Sequence, residues 1–144
     1  MIHLAIDIGA SSGRHIAAWR EDGELKMKEI YRFPNLPQEQ DDRLVWDLDR
    51  LCREVVSGLR ACGEQGITPD SVGIDTWAVD YVLLDGADKP IPPLYCYRDS
   101  RGAEGAEIAH KVIPFDRLYA KTGIQFQPFN TIYQLCWDKA HGRL

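Results

Sequence analysis

The chain has 144 residues, 17 Lys+Arg against 22 Asp+Glu and a formal net charge of −5. Its length suits one ordinary core, and 44% hydrophobic with 27% charged residues excludes a disordered tail, a collagen-like repeat and a coiled coil. No block of Lys or Arg offers the phosphate-neutralising surface on which nucleic-acid affinity rests, so no nucleic-acid partner is expected.

The first third reads as extended. Leu4, Ile6 and Ile8 alternate, Arg14 to Trp19 runs to a turn at Glu21-Asp22-Gly23-Glu24, and Asp-Gly between extended runs signals a hairpin. Beyond it Leu25, Met27, Tyr31 and Phe33 share one face and Lys26, Lys28 and Arg32 the other, the pattern of a half-buried antiparallel strand. Pro34, Pro37 and the polar run Gln38 to Arg43 are expected to close this three-stranded meander with a surface loop. Leu48, Leu51, Cys52, Val55, Val56, Leu59 and Cys62 then recur at helical spacing behind the N-cap Asp47, and Gly63 and Gly66 offer left-handed stops. That stripe requires the helix to pack on the sheet.

Ser71 to Trp77 and Tyr81 to Leu84 are expected as two further strands, the second ended by Asp85-Gly86. Helices follow over Gly102 to Val112, Pro114 to Lys121 with Gly123 as the stop, and Thr131 to Ala140, where Thr131 and Gln134 have capping-box spacing. The layout is α/β with a mixed sheet, three leading antiparallel strands and packed helices. Apolar runs of about four residues fall far short of the roughly 20 needed to span a bilayer, so no membrane association is expected. Asp7 comes too early for a secretory apolar segment, which leaves a cytoplasmic location as the expectation. Cys52, Cys62, Cys96 and Cys136 contain no C-x-x-C pair and read as reduced packing thiols.

Four segments carry chemistry. In Asp7-Ile8-Gly9-Ala10-Ser11-Ser12-Gly13-Arg14 the glycines let backbone approach closely, Ala10, Ser11 and Ser12 offer amides and hydroxyls to an anion, and Arg14 adds a planar cation. Asp7 could hold Mg2+ through water; a plain hairpin turn accounts for the same residues. Around Trp77, the carboxylates Asp75 and Asp80 flank an aromatic, which suits a sugar pocket or simply a core tryptophan between turn caps. Tyr97-Arg98-Asp99-Ser100-Arg101 can be a site or a capped helix start, and Gly123 to Asn130, with Phe126 and Phe129, a pocket wall or a packing loop.

Taken together, Ala5 to Arg14, Gly73-Ile74-Asp75-Thr76-Trp77, Val79-Asp80, Tyr97 to Arg101 and Gly123 to Phe126 with Pro128-Phe129-Asn130 resemble the FGGY carbohydrate kinases over essentially the whole chain. The phrases around Trp77, Asp99 and Gln125 are similar to the branch that acts on L-rhamnulose. The resemblance implies an RNase H-like, actin-type fold in which two domains close over ATP and phosphorylate the 1-hydroxyl of L-rhamnulose. It assigns Ala10, Ser11, Ser12, Gly13 and Arg14 to ATP, Asp7 to Mg2+ and the Ala78 backbone to the sugar. Trp77, Asp75, Asp80, Tyr97 and Phe129 complete the candidate sugar contacts. Ala78 stands where the family usually has Gly, which leaves a related ketose open as substrate.

The family's general base lies in a later His-Asp motif, and no His-Asp dipeptide occurs in these residues. Residues 1–144 are therefore expected to be the first part of the N-terminal kinase domain, cut from a larger chain after Leu144. On this reading the remainder of the kinase chain is their partner and they are inactive alone. Two alternatives differ in class. One is a metal-dependent nuclease of RNase H type using Asp7, Asp75 and Glu54, and the other is a non-catalytic nucleotide-binding module.

Overall fold

A computed structural model describes residues 1–144. In chain order the elements are β1 (Ile2–Ile8), β2 (Ser12–Glu21), β3 (Glu24–Pro34), β4 (Gln38–Gln40), β5 (Arg43–Val45), α1 (Leu48–Glu64), β6 (Ser71–Thr76), α2 (Arg101–Val112), α3 (Phe115–Thr122) and α4 (Thr131–Ala140). They form two compact units: residues 1–37 with 47–78, and 38–46 with 79–144. Where length argued for a single core, each unit has its own hydrophobic cluster.

The first unit is a four-stranded sheet in the order β3-β2-β1-β6, with β1 antiparallel to β2 and parallel to β6. Period-two alternation puts Leu4, Ile6 and Ile8 on one face, where they are at most 6% exposed and pack with Ala17, Ile30, Phe33 and Cys62. The β2–β3 turn uses Asp22 and Gly23, both at positive φ (52° and 82°), as a tight hairpin requires. Asp47 caps α1 by accepting from the Arg50 amide at 2.8 Å.

Leu51, Val55 and Ala61 of α1 pack on the sheet cluster, whereas Cys52, Val56 and Leu59 are exposed. The apolar stripe read from the sequence is thus wider than the arc the sheet covers. Gly63 is also not a stop: it lies inside α1, and only Gly66 is left-handed, at φ 69°.

Between helix and sheet, His15 is wholly buried, with Nε2 3.1 Å from the Val55 carbonyl and the ring edge-on to Tyr31. Gly58 makes room for it, because a Cβ there would lie 2.3 Å from Nε2. Burial lowers the His15 pKa from its ordinary value against weaker opposing effects of the Val55 hydrogen bond and the Glu54 charge.

The second unit opens with the β4–β5 hairpin, where the sequence suggested only a loop. Its turn is Asp41-Asp42, at φ 51° and 59°, and aspartate tolerates the left-handed region without glycine's signal. The strand expected at Tyr81 to Leu84 is absent. One isolated bridge, Leu84 to Pro90, forms there, and the Tyr81 hydroxyl instead donates to Asp138. Burial and that bond raise the Tyr81 pKa.

Helices α2 and α4 meet closely because Gly105 has no side chain; a Cβ would come 2.0 Å from the Tyr133 carbonyl oxygen. Ala106, Ala109 and Tyr133 fill the contact. Asp138, 1% exposed, pairs with Arg101 at 3.4 Å and Arg143 at 2.9 Å, and Arg101 stacks 4.5 Å over Tyr95.

Because the folded His15 pKa lies below the unfolded one, the unfolded chain binds more protons between the two values. Stability should be highest above about pH 6.5 and fall as the pH drops from there toward the folded pKa. Urea titrations at several pH values check this: His15→Phe should flatten the slope across that window, and an unchanged slope would mean that His15 does not set it.

Candidate functional site

The loop between β1 and β2 is built by backbone bonds and one side chain. The Gly9 amide donates to the Ser12 carbonyl at 3.0 Å, the Asn35 amide donates to the Ser11 carbonyl at 3.0 Å, and Asn35 Nδ2 donates to the Gly9 carbonyl at 2.8 Å. Asn35 is 2% exposed, so the loop rests on a buried amide. The sequence reading missed it, because an Asn behind Pro34 at the end of a strand looks like an ordinary turn residue.

Ser11 is exposed at the tip, while Ser12, Gly13 and Arg14 already belong to β2. Gly13 has a packing reason as well: a Cβ there would sit 2.1 Å from Cζ of Phe33.

Asp7 alternates to the sheet face opposite Leu4 and Ile6. Its carboxylate accepts from Arg14 Nε at 3.1 Å, and both side chains are nearly half exposed. Such a pair contributes at most about 1 kcal/mol and leaves the carboxylate open to water. In the parallel β1–β6 register Asp7 faces Asp75, so the two carboxylates share one face on adjacent strands roughly 4.8 Å apart. Asp75 also accepts from the Thr76 amide at 3.0 Å. The half-exposed Asp7 and the exposed Asp75, beside a loop whose tip Ser11 is exposed, fit a Mg2+ that keeps most of its waters.

Glu54 does not join them. On α1, across the sheet from Asp7, it accepts from the Tyr31 hydroxyl at 2.5 Å and lies 3.7 Å from Arg50, which removes the third carboxylate of the nuclease reading.

The remaining candidates divide between the units. In the first, Trp77 donates its amide to the Ile8 carbonyl at 3.0 Å and packs its ring against the sheet cluster, while Ala78 is exposed. In the second, Asp80 accepts from the Trp46 indole at 2.6 Å, and Tyr97 and Phe129 meet edge-to-face at 5.7 Å.

Asp99 proves structural. Buried, it accepts from the amides of Leu44 (3.0 Å) and Arg101 (2.9 Å) and from Arg43 (3.3 Å), which ties β5 to the start of α2. The capping box expected at Thr131 and Gln134 is not made either; both side chains donate to the Val79 carbonyl, at 2.8 and 3.2 Å.

The FGGY family of carbohydrate kinases, N-terminal domain, matches residues 2–143, and the chain belongs to this family. It is 50% identical over 132 residues to a rhamnulokinase of Halalkalibacterium halodurans, a match covering 92% of this chain and 28% of the relative. It is 44% identical over 135 residues to a rhamnulokinase of Bacillus subtilis, covering 94% and 28%. The chain therefore spans a little over a quarter of the curated relatives it matches.

Among solved structures it is similar to a ligand-bound xylulose kinase from Lactobacillus acidophilus (TM-score 0.73, 16% identity, 96% of this chain and 28% of that one). A glycerol kinase with ADP from Plasmodium falciparum gives a TM-score of 0.70 at 15% identity, covering 96% and 28%. These likenesses carry the fold, the α/β mixed-sheet architecture of the actin-like ATPases.

Removing the loop brace has a defined cost. Asn35→Ala leaves the Gly9 carbonyl without its buried donor, a loss of about 1–3 kcal/mol. Amide hydrogen exchange across residues 9–12 should accelerate while the centres of β1 and β2 stay protected. Unaltered exchange in the loop would show that Asn35 does not hold it.

Proposed function

We propose that residues 1–144 are the first part of the N-terminal domain of an ATP-dependent kinase that phosphorylates L-rhamnulose at its 1-hydroxyl. The observation that carries this reading is the Asn35-braced Gly9–Ser12 loop beside the half-exposed Asp7, in a chain 44–50% identical to rhamnulokinases.

On this reading Ala10, Ser11, Ser12 and Gly13 present amides and hydroxyls to the nucleotide phosphates. Arg14, already turned toward Asp7, lies beside the same charge. Asp7 holds Mg2+ through water, with Asp75 next to it in register. Bound Mg2+ would neutralise charge developing on the transferred phosphoryl group.

For the sugar, Tyr97 and Phe129 of the second unit offer an apolar corner, and the exposed Ala78 of the first unit offers, separately, its backbone and one methyl; Asp80 is held by the Trp46 indole. Trp77 contributes through its fixed backbone, since its ring packs on the sheet cluster.

The acceptor's proton needs a base that these residues do not assign; it comes from the remainder of the chain. Residues 1–144 alone should therefore show no turnover, because half a cleft neither aligns acceptor and phosphate nor excludes water.

The test is a coupled ADP-release assay on the full-length protein with ATP, Mg2+ and a panel of ketoses. L-rhamnulose should give the highest kcat/KM, a preference of tenfold or more for another ketose would reassign the substrate, and nucleotide binding without turnover on any sugar would make the protein a binding module. Asp7→Asn should lower kcat on the order of 10²-fold, with the sugar KM little changed. Unchanged turnover of that variant at limiting Mg2+ would remove Asp7 from the metal.

A further inference from the structure

Val79 has φ 72°, a left-handed conformation in which a β-branched residue is a genuine outlier that persists only where its surroundings impose it. Here they do. The Val79 carbonyl accepts from Thr131 Oγ1 at 2.8 Å and from Gln134 Nε2 at 3.2 Å, and Gln134 Nε2 also donates to the Phe129 carbonyl at 2.8 Å.

Gln134 is wholly buried, and its amide is not free to flip. Arg101 Nη2 donates to Gln134 Oε1, which fixes the NH2 group toward the two carbonyls, and the Asp138 ion pair anchors Arg101 in turn. A buried amide with a charged group behind it is thus spent on bending one residue that would otherwise be extended.

Phe129, whose carbonyl the same amide holds, carries the ring that meets Tyr97. We infer that Gln134, with Thr131, is a positioning residue for sugar binding: by tying the left-handed Val79 to the Phe129 carbonyl it fixes the Phe129 ring against Tyr97. This rests on the proposed assignment of Tyr97 and Phe129 to the sugar.

The experiment compares Thr131→Val, Gln134→Glu and the double variant Thr131→Val with Val79→Gly in the full-length protein. It reads KM for L-rhamnulose and for MgATP, sugar affinity by calorimetry, and Tm. Each single variant removes a donor to the Val79 carbonyl at nearly constant volume, and Gln134→Glu keeps an acceptor for Arg101. Both should raise the sugar KM and Kd roughly tenfold, the effect of about 1.4 kcal/mol, with KM for MgATP within about twofold.

Glycine adopts positive φ without strain, so Val79→Gly should restore most of the affinity lost in Thr131→Val. A purely structural role predicts otherwise: a lower Tm with both KM values moving together, or no rescue by glycine. Either result overturns the inference, as does an unchanged sugar KM in both single variants. If the unmodified protein neither binds nor phosphorylates a ketose, the assignment of the sugar residues fails first and the inference goes with it; if it does, the single variants judge the inference alone.

Discussion

The first unit depends on the two-residue period of β1. Leu4, Ile6 and Ile8 must face α1 to form its core, and alternation then forces Asp7 to the other face, in register with Asp75 on β6 and beside Arg14 on β2. A slip of one residue would bury the carboxylate among apolar side chains and expose the core set. Apolar burial therefore places the acid, and the loop after Ile8 emerges on the edge where that acid is found. The same alternation separates Asp7 from Glu54, which sits on the covered face and is occupied by Tyr31.

The second unit is organised by polar groups. Its small apolar contact between α2 and α4 depends on Gly105, and around it lie Arg101, Asp138, Gln134 and Asp99, each 7% exposed or less. Ion pairs at such depth give up hydration that their mutual attraction must offset, so they are weak evidence of extra stability, while removing one partner is costly. What they do provide is direction. Asp99 fixes β5 against the start of α2, and Arg101 orients Gln134 toward the left-handed Val79.

Much of the fold was legible where one periodicity dominated. β1, β2 and α1 follow from alternation, the Asp22-Gly23 turn and the Asp47 cap, and α3 ends at a left-handed Gly123 as its sequence suggests. β3 forms where expected, but not with the expected face: Leu25 and Met27 are exposed, and a bulge opposite His15 and Ile16 turns Ile30 inward beside Phe33. Elements whose local signal was overridden from far along the chain were not legible. The β4–β5 hairpin turns on two aspartates with no glycine, Tyr81 is drawn from a strand by the distant Asp138, and Thr131 and Gln134 leave the helix end to reach Val79. In the candidate site Asp7 and the loop glycines could be found from sequence. Asn35 could not, because only the folded chain shows a buried amide under the loop, and neither could the packing of Gly13 against Phe33.

The Asp7 face of the sheet, rather than the α1 face, is the one proposed to receive a metal-bound nucleotide. Paramagnetic broadening distinguishes the two faces: Mn2+·ADP is added to the 15N-labelled full-length protein and amide resonances are followed. Broadening is expected to centre on Asp7, on Gly9 to Gly13 and on Asp75, with the α1 amides around Glu54 spared. Broadening centred on Glu54, or none in this part of the chain at saturating Mn2+·ADP, would contradict that assignment.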